Sequence, residues 1–371
     1  MNDANNVLYL LPPAVNRVNM FKSVLQGSPC AERYLFYGMD YFALKGVNIV
    51  HNLKPANRLF RYAGDVFRFA VTRGLKSYSG DIEWLLPVLR YLDRVDGIVA
   101  YSDRIIMPLL YLRMSGVIKR RPTLYIPMGL PEKLRNISNR NMLNKIISEL
   151  KRIECIASVS MPEVEVLKND YGLTENVRYV KVGVDTDYFA PFAAEETIDV
   201  LSIGGDPFRD YGTFVKVAAS LPKIRFRLIT RKHLIDNPGS LPKNIDLAFD
   251  VPMSTIKTEI ACAKALYLPV KENLYSGGTT VLLQAMAMGK AVVANPVGPN
   301  KEGYGFRDRD NLMFVSCGDA EGAITTIKDL IYNPELRQAV GSSARSHVQN
   351  GLSLNLFHDE IYQIFKQISA C

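Results

Sequence analysis

Tryptophan occurs once in the chain, histidine four times and cysteine five times. The cysteines (Cys30, Cys155, Cys262, Cys317 and Cys371) are scattered and odd in number, with no CxxC pairing. That pattern excludes a disulfide framework and reads as reduced thiols in a cytosolic protein. The histidines form no HExxH or other ligand-spaced cluster, which argues against a tightly held metal. No apolar run approaches the ~20 residues that a membrane span needs. The run Val7–Leu11 near the N-terminus lacks a basic leader and reads as a first buried strand rather than a signal peptide. Fixed-period repeats and low-complexity tracts are absent. So is a Walker GxxxxGKS, which excludes a P-loop. Helix-turn-helix, RNP and zinc signatures are missing, so nucleic acid is not an expected partner.

What remains is a chain of 371 residues, 48% hydrophobic and 22% charged, a size that favours two folded domains. A formal net charge of +8 suggests an anionic partner, and by composition nucleic acid, nucleotide and anionic membrane all qualify. Short apolar runs ("VLYLL", "VNIV", "GIVAYS", "TLYIP", "CIASVS", "VRYV", "DVLSIGG", "FRLIT", "ALYLPV", "AVVAN") alternate with amphipathic stretches such as "GTFVKVAASLP" and "PELRQAVGSSARSHVQN". Unalternating Val/Ile-rich strands in a β-α-β rhythm predict parallel sheets covered by helices on both faces. They are too many for one comfortable sheet, and two doubly wound domains are the economical solution. The Asp/Pro/Ala/Glu-rich stretch before Asp199 places the boundary near Pro191. The last helical pattern, "LNLFHDEIYQIFKQIS", follows a second domain that is already complete.

Three stretches can carry chemistry. In "YSGGTTVLLQAMAMGKAVVA" a strand leads through Ser276, Gly277 and Gly278 into a helix starting near Thr279. Free amides of Gly278, Thr279 and Thr280 with the helix dipole form an anion site; an ordinary tight turn with an N-cap explains the same residues. Gln284 lies in the apolar stripe one turn beyond Thr280, where a ligand hydroxyl or a loop carbonyl would satisfy it. "SIGGDPFRDYGTF" repeats the strand, glycine-pair, helix pattern with Gly204 and Gly205. Its Arg209 sits in the turn, placed either to clamp a diphosphate or simply to be solvated. In the segment 54–76, six basic residues (Lys54, Arg58, Arg61, Arg68, Arg73, Lys76) accompany one acid, Asp65, among interleaved apolar residues. This suits an amphipathic helix on an anionic membrane, or a basic solvated face over an aromatic core.

In order and spacing, "SVSMPEVEVLKNDYGL", "VKVGVDTDYFAP", "GGDPFRDYGTF", "SGGTTVLLQAMAMGKAVVANPVG" and "DRDNLMFVSCGDAEGAITTIKDLIYNPELRQAVGSSARSHV" resemble the C-terminal half of GT-B glycosyltransferases, most nearly the retaining nucleotide-sugar family 4. The N-terminal half is similar more loosely, through "YFALKGVNIV", "SGDIEWLLPVLRYLDRVDGIVAYSD" and "TLYIPMGLPEKL". The resemblance implies two Rossmann-like α/β domains facing each other across a cleft. Residues 1–190 would form an acceptor domain, 191–352 a nucleotide-sugar domain, and 353–371 a helix crossing back to the first. It implies a donor site drawn from Gly204, Gly205, Arg209, Arg231, Lys232, Val251, Lys271, Ser276, Gly277, Gly278, Thr279, Thr280 and Gln284. The family's Glu-x7-Glu pair is replaced by Ser276 and Gln284, and of its Arg/Lys diphosphate pair Arg209 is the match, with Lys271 or Lys232 as the second cation. On the acceptor side Met128 stands where the family often has histidine. Gly80 and Asp81 of "SGDIEW" match a loop that touches the reacting groups, although Asp81 fits equally well as the N-cap of the following helix.

The implied activity is metal-independent, cofactor-free transfer of a hexose from a UDP- or GDP-sugar to a glycan or lipid-linked acceptor, with retention, at the inner membrane face. Asp81 and Arg209 would act at the reacting centre. A nucleotide-sugar epimerase of the same architecture and a non-catalytic glycan- or nucleotide-binding homologue are the competing readings.

Overall fold

In a computed structural model describing residues 6–275 and 278–370, the apolar runs become two six-stranded sheets, every strand pair parallel. The first sheet holds β1 (Asn6–Leu10), β2 (Asn48–His51), β3 (Gly97–Tyr101), β4 (Thr123–Ile126), β5 (Cys155–Ser158) and β6 (Val177–Tyr179), in the order β2-β1-β3-β4-β5-β6. Its helices are α1 (Arg17–Leu25), α2 (Met39–Leu44), α3 (Arg58–Phe69), α4 (Asp103–Met114), α5 (Leu130–Arg135), α6 (Arg140–Leu150) and α7 (Met161–Asn169). The central strands bury every residue from Val7 to Leu11 and from Ile98 to Ala100, as strands covered on both faces must.

The second sheet holds β7 (Ile198–Ile203), β8 (Phe226–Thr230), β9 (Ile245–Phe249), β10 (Ala263–Leu268), β11 (Ala291–Ala294) and β12 (Met313–Phe314), in the order β12-β11-β10-β7-β8-β9. Helices α8 (Tyr211–Ser220), α9 (Met253–Ala261), α10 (Thr279–Ala287), α11 (Ala320–Tyr332) and α12 (Pro334–Gly351) flank it. Several start on side-chain caps: Asp210 accepts from Thr213 N at 3.1 Å, and Asn333 from Leu336 N at 2.9 Å beside Pro334. In both sheets the chain winds one way and then the other. The winding reverses between β1 and β3 in the first and between β7 and β10 in the second.

Two compact units result, one containing the residues up to Val180 together with those from Phe357 onward, the other Lys181–Leu356. The first division thus falls ahead of the boundary expected near Pro191. The backbone after Val180 already belongs to the second unit: Val182 N donates to Tyr304 Oη at 2.9 Å, and Val184 exchanges hydrogen bonds with Leu352 and Leu354. The last helix, α13 (Leu354–Ser369), packs in the first unit through Phe42 against Tyr362 and Phe365, with Tyr41 Oη donating to Asp359 at 2.8 Å. Gly97 makes room for it, since a Cβ there would lie 2.5 Å from the Phe365 ring.

One expected helix takes another form. "IEWLLPVLRYL" folds as two 3-10 segments, Ile82–Trp84 and Leu86–Arg94, because Pro87 removes an amide and blocks continuous i→i+4 bonding. No disulfide forms among the described residues; Cys371 lies outside them. No described helix is long and apolar enough to cross a membrane.

Candidate functional site

In open α/β sheets, ligands gather beyond the carboxyl ends of the strands where the winding reverses. In the second unit that point lies between β7 and β10, and the loops leaving these two strands are stitched together. Lys271 N donates to Phe208 O at 2.7 Å and Asp210 N to Pro269 O at 3.0 Å. The stitching delivers Arg209 to the mouth of α10. Its guanidinium is buried and packed between Gly204 and Gly278, where a Cβ on Gly278 would come within 2.6 Å of Nη1 and one on Gly204 would overlap Nε. Both glycines are therefore required by close approach. Gly278 also adopts φ 66, which favours glycine.

Arg209 Nε pairs with Asp206 Oδ2 at 2.9 Å, while Nη1 is buried with no hydrogen-bond partner among the described residues. A buried, unsatisfied cationic N–H is costly unless something fills the position. Gly278 is the N-cap of α10, and among the described residues no side chain caps that end. Thr279 Oγ1 donates to Asn300 Oδ1 at 3.3 Å. Thr280 is exposed, whereas Gln284, one turn on, is fully buried with neither Oε1 nor Nε2 bonded to a described residue. Arg231 reaches the same place, its Nε 2.8 Å from where a Gly205 Cβ would stand.

The remaining donor expectations are less gathered. Lys232 and Lys271 are exposed, and Val251 is half-buried after the left-handed Asp250. Ser276 and Gly277 lie outside the described residues. Asn295 was not anticipated from the sequence. Its Oδ1 accepts from Val270 N at 2.6 Å and its Nδ2 donates to Val315 O at 2.8 Å, fixing the loop after β10. Its position directly after the strand run "AVVAN" is the one signal the sequence offers. An open depression of about 460 Å³ lined by Arg225, Arg227, Lys243 and Asp246 lies at the opposite, amino ends of β7–β9. There Arg227 is already paired with Asp246 and Glu259, so it offers no comparable unsatisfied cation.

In the first unit, Asp81 is buried and does not cap a helix. Its carboxylate accepts instead from Arg104 Nε and, at 3.3 Å, from Arg68 Nη2, so the N-cap reading is corrected. Gly80 (φ 65) presses on the Arg104 carbonyl and Pro108, leaving no room for a side chain. Arg68 also holds Glu83 at 2.8 Å, and Arg104 stacks 4.4 Å over Trp84. Neither arginine was singled out by sequence as a partner of Asp81. Met128 is half-buried and its N–H donates to Asp103 Oδ1 at 3.3 Å. Asp103 and Arg104, adjacent at the start of α4, thus hold the Met128 and Asp81 loops. At the reversal between β1 and β3, Asn16 and Ser102 both adopt positive φ, and Arg17 bonds Pro12 O beside Tyr37 and Tyr101. Such strain off glycine clusters at functional sites; "LLPPAVNR", a strand followed by a turn, carried the signal.

The Met128 loop continues onto a buried acid. Glu163 Oε1 accepts from Gly129 N (3.1 Å) and Leu130 N (3.0 Å), and Oε2 from Ser158 Oγ at 2.5 Å. Burial, with the nearby Asp103 charge second, pushes its carboxyl from 4.5 up to about 8 against the pull of those donors. Between these values the folded chain holds a proton that the unfolded chain has lost. The contribution is therefore full below about pH 4.5 and is lost as pH rises through about 8. Glu163→Gln, which keeps Oε1 for the two amides, is expected to flatten the fall in Tm between those pH values, measured by thermal denaturation across the range.

No protein-family model and no curated protein sequence matches the chain. Solved structures do match. A glycosyltransferase from Rickettsia africae aligns over 99% of both chains, with TM-score 0.68 and 15% identity. Sucrose-phosphate synthase from Thermosynechococcus elongatus aligns over 99% of both, with TM-score 0.71 and 13% identity. Anabaena HepE in complex with UDP-glucose aligns over 98% of this chain and 99% of its own, with TM-score 0.66 and 12% identity. With two doubly wound parallel sheets and end-to-end agreement of this kind, the chain has the GT-B glycosyltransferase fold.

Proposed function

We propose that the chain transfers a hexose from a nucleoside-diphosphate sugar, UDP- or GDP-linked, to a glycan or lipid-linked acceptor with retention of configuration. The observation that carries this reading is Arg209: a buried guanidinium whose Nη1 has no hydrogen-bond partner among the described residues, set beside the N-terminal amides of α10, which no described side chain caps. That constellation suits a diphosphate, which needs several donors from separate loops. HepE was solved with UDP-glucose and also with UDP and glucose, which favours a uridine donor here.

In the proposed reaction the anomeric carbon–oxygen bond to the diphosphate breaks as the acceptor oxygen bonds to the same carbon. The acceptor proton passes to the departing diphosphate oxygen. Arg209 and the Gly278–Thr280 amides offset the charge that develops on the leaving group, the largest electrostatic demand of the step. Gln284 can donate and accept toward the donor's hydroxyls without carrying charge. Asp81, held by Arg68 and Arg104, is assigned to the acceptor side. No metal or cofactor takes part in the proposed step, and the nucleotide-sugar is a co-substrate.

Ser276 and Gln284 in place of two carboxylates favour a second reading, binding of the donor without transfer. A thermal-shift screen of UDP- and GDP-hexoses, followed by nucleotide release with and without acceptors, separates the two. Stabilisation by a nucleotide-sugar with acceptor-dependent release supports transfer. Stabilisation without release supports a binding module, and acceptor-independent turnover to a second sugar supports an epimerase. Absence of any shift removes the donor-site assignment, since a ligand that binds only the native state must raise its stability.

A further inference from the structure

The helix α3 has two apolar faces and uses one of them. Phe60, Gly64, Phe67 and Val71 recur at helical spacing and turn inward. Val71 is buried in the core of the unit, Phe67 packs edge-on to Tyr111, and Gly64 lies against Glu83 where a side chain would collide. Leu59, Tyr62, Val66 and Phe69 recur at helical spacing on the opposite face and point outward, 70%, 69%, 54% and 65% exposed. Four large apolar side chains in one outward stripe mark a docking face.

The charge around that stripe identifies what it fits. Lys54, Arg58, Arg61, Arg73 and Lys76 are all exposed, within or flanking the helix along the chain, and Arg73 lies 5.8 Å over the Phe69 ring. The single acid of the helix, Asp65, is taken by Arg68 at 3.0 Å. A second copy of the chain is disfavoured as the occupant, because an isologous pairing would set these cations against their own counterparts. We propose that α3 docks on the surface of an anionic lipid bilayer. Leu59, Tyr62, Val66 and Phe69 enter the boundary between headgroups and acyl chains, and the five flanking cations meet lipid phosphates and carboxylates.

Arg68 gives the docking a consequence. It leaves the same helix to bind both Asp81 and Glu83, so the lipid-facing element is tied directly to the Gly80–Asp81 loop. If that loop serves an acceptor, as proposed above, the acceptor is one presented at a membrane. This clause rests on the transferase reading, whereas the docking does not.

Co-flotation of the full chain with vesicles of phosphatidylcholine alone, and of phosphatidylcholine mixed with phosphatidylglycerol, tests the proposal. The expected result is binding to the mixed vesicles at least about tenfold tighter than to the neutral ones, weakening as salt is raised. Leu59→Ser/Phe69→Ser and Arg58→Glu/Arg61→Glu are each expected to lose most of that binding. Both should leave Tm and UDP-glucose affinity unchanged, because the altered side chains face outward. Equal binding to neutral and anionic vesicles, no binding to either, or variants that float as well as the parent would overturn it. So would a dimer in solution that the Leu59→Ser/Phe69→Ser variant dissolves, which would assign the stripe to self-association. Failure of UDP-glucose to bind would sink the donor site and leave the vesicle result standing.

Discussion

Arg209→Met is expected to lower affinity for UDP-glucose by about 100-fold, because it removes one or two charge-assisted hydrogen bonds from a water-excluded site. The substitution keeps most of the volume between Gly204 and Gly278, so the loops after β7 and β10 retain their packing. Asp206 loses its ion-pair partner but is about one-third exposed at its side chain (31%) and can be hydrated. The apo protein should therefore melt near the parent temperature while the nucleotide-induced shift disappears; calorimetric titration and thermal denaturation measure the two. Gly278→Ala approaches the same outcome by another route. Its Cβ would push Nη1 from 2.6 Å away and strain a residue at φ 66, lowering both affinity and stability. An Arg209→Met protein that binds UDP-glucose like the parent would remove the basis of the donor assignment.

Gln284→Met should move stability and binding in opposite directions. The amide is fully buried with both polar atoms unbonded among the described residues, an arrangement that costs about 1–3 kcal/mol per unsatisfied group. A methionine of similar length removes that cost, and the apo protein is expected to gain about 1–2 kcal/mol in urea denaturation. If the amide exists to meet donor hydroxyls, the same change should abolish most of the stabilisation by UDP-glucose. A purely structural glutamine predicts the reverse, a loss of apo stability with the ligand shift intact. Gln284→Glu restores the carboxylate of the resembling family and should destabilise the apo form, since a buried carboxylate without a partner is costlier than an amide.

The strands most legible in the sequence are those buried on both faces. β1, β3, β10 and β11 are continuous apolar runs that need no alternation to be recognised. β9 and β12 escaped notice. β9, at the sheet edge, is half-exposed along Ile245–Phe249 and reads as mixed polarity, and β12 has only two residues. The domain boundary moved from Pro191 to Lys181 because composition marks the polar linker. The pairing of Val184 with Ser353, far along the chain, leaves no compositional trace.

The turn holding Arg209 was visible as a strand, two glycines and a cation, but its burial was not. Burial requires Gly204 and Gly278 to close on one guanidinium from loops widely separated in sequence, and only the hydrogen bonds joining Phe208 to Lys271 and Asp210 to Pro269 bring those loops together. Asp81 was ambiguous for the same reason, since both readings place it before the same segment. Arg68 and Arg104, from two other helices, remove the N-cap reading.

By itself, then, the sequence determined two parallel α/β sheets, the glycine turns at their strand ends and the amphipathic character of α3, because each is written in residues that are neighbours along the chain. Only the tertiary structure decided which guanidinium is buried with one nitrogen unbonded among the described residues, which acid is clamped and which apolar stripe stays wet. Those depend on what distant segments leave uncovered when both cores have closed.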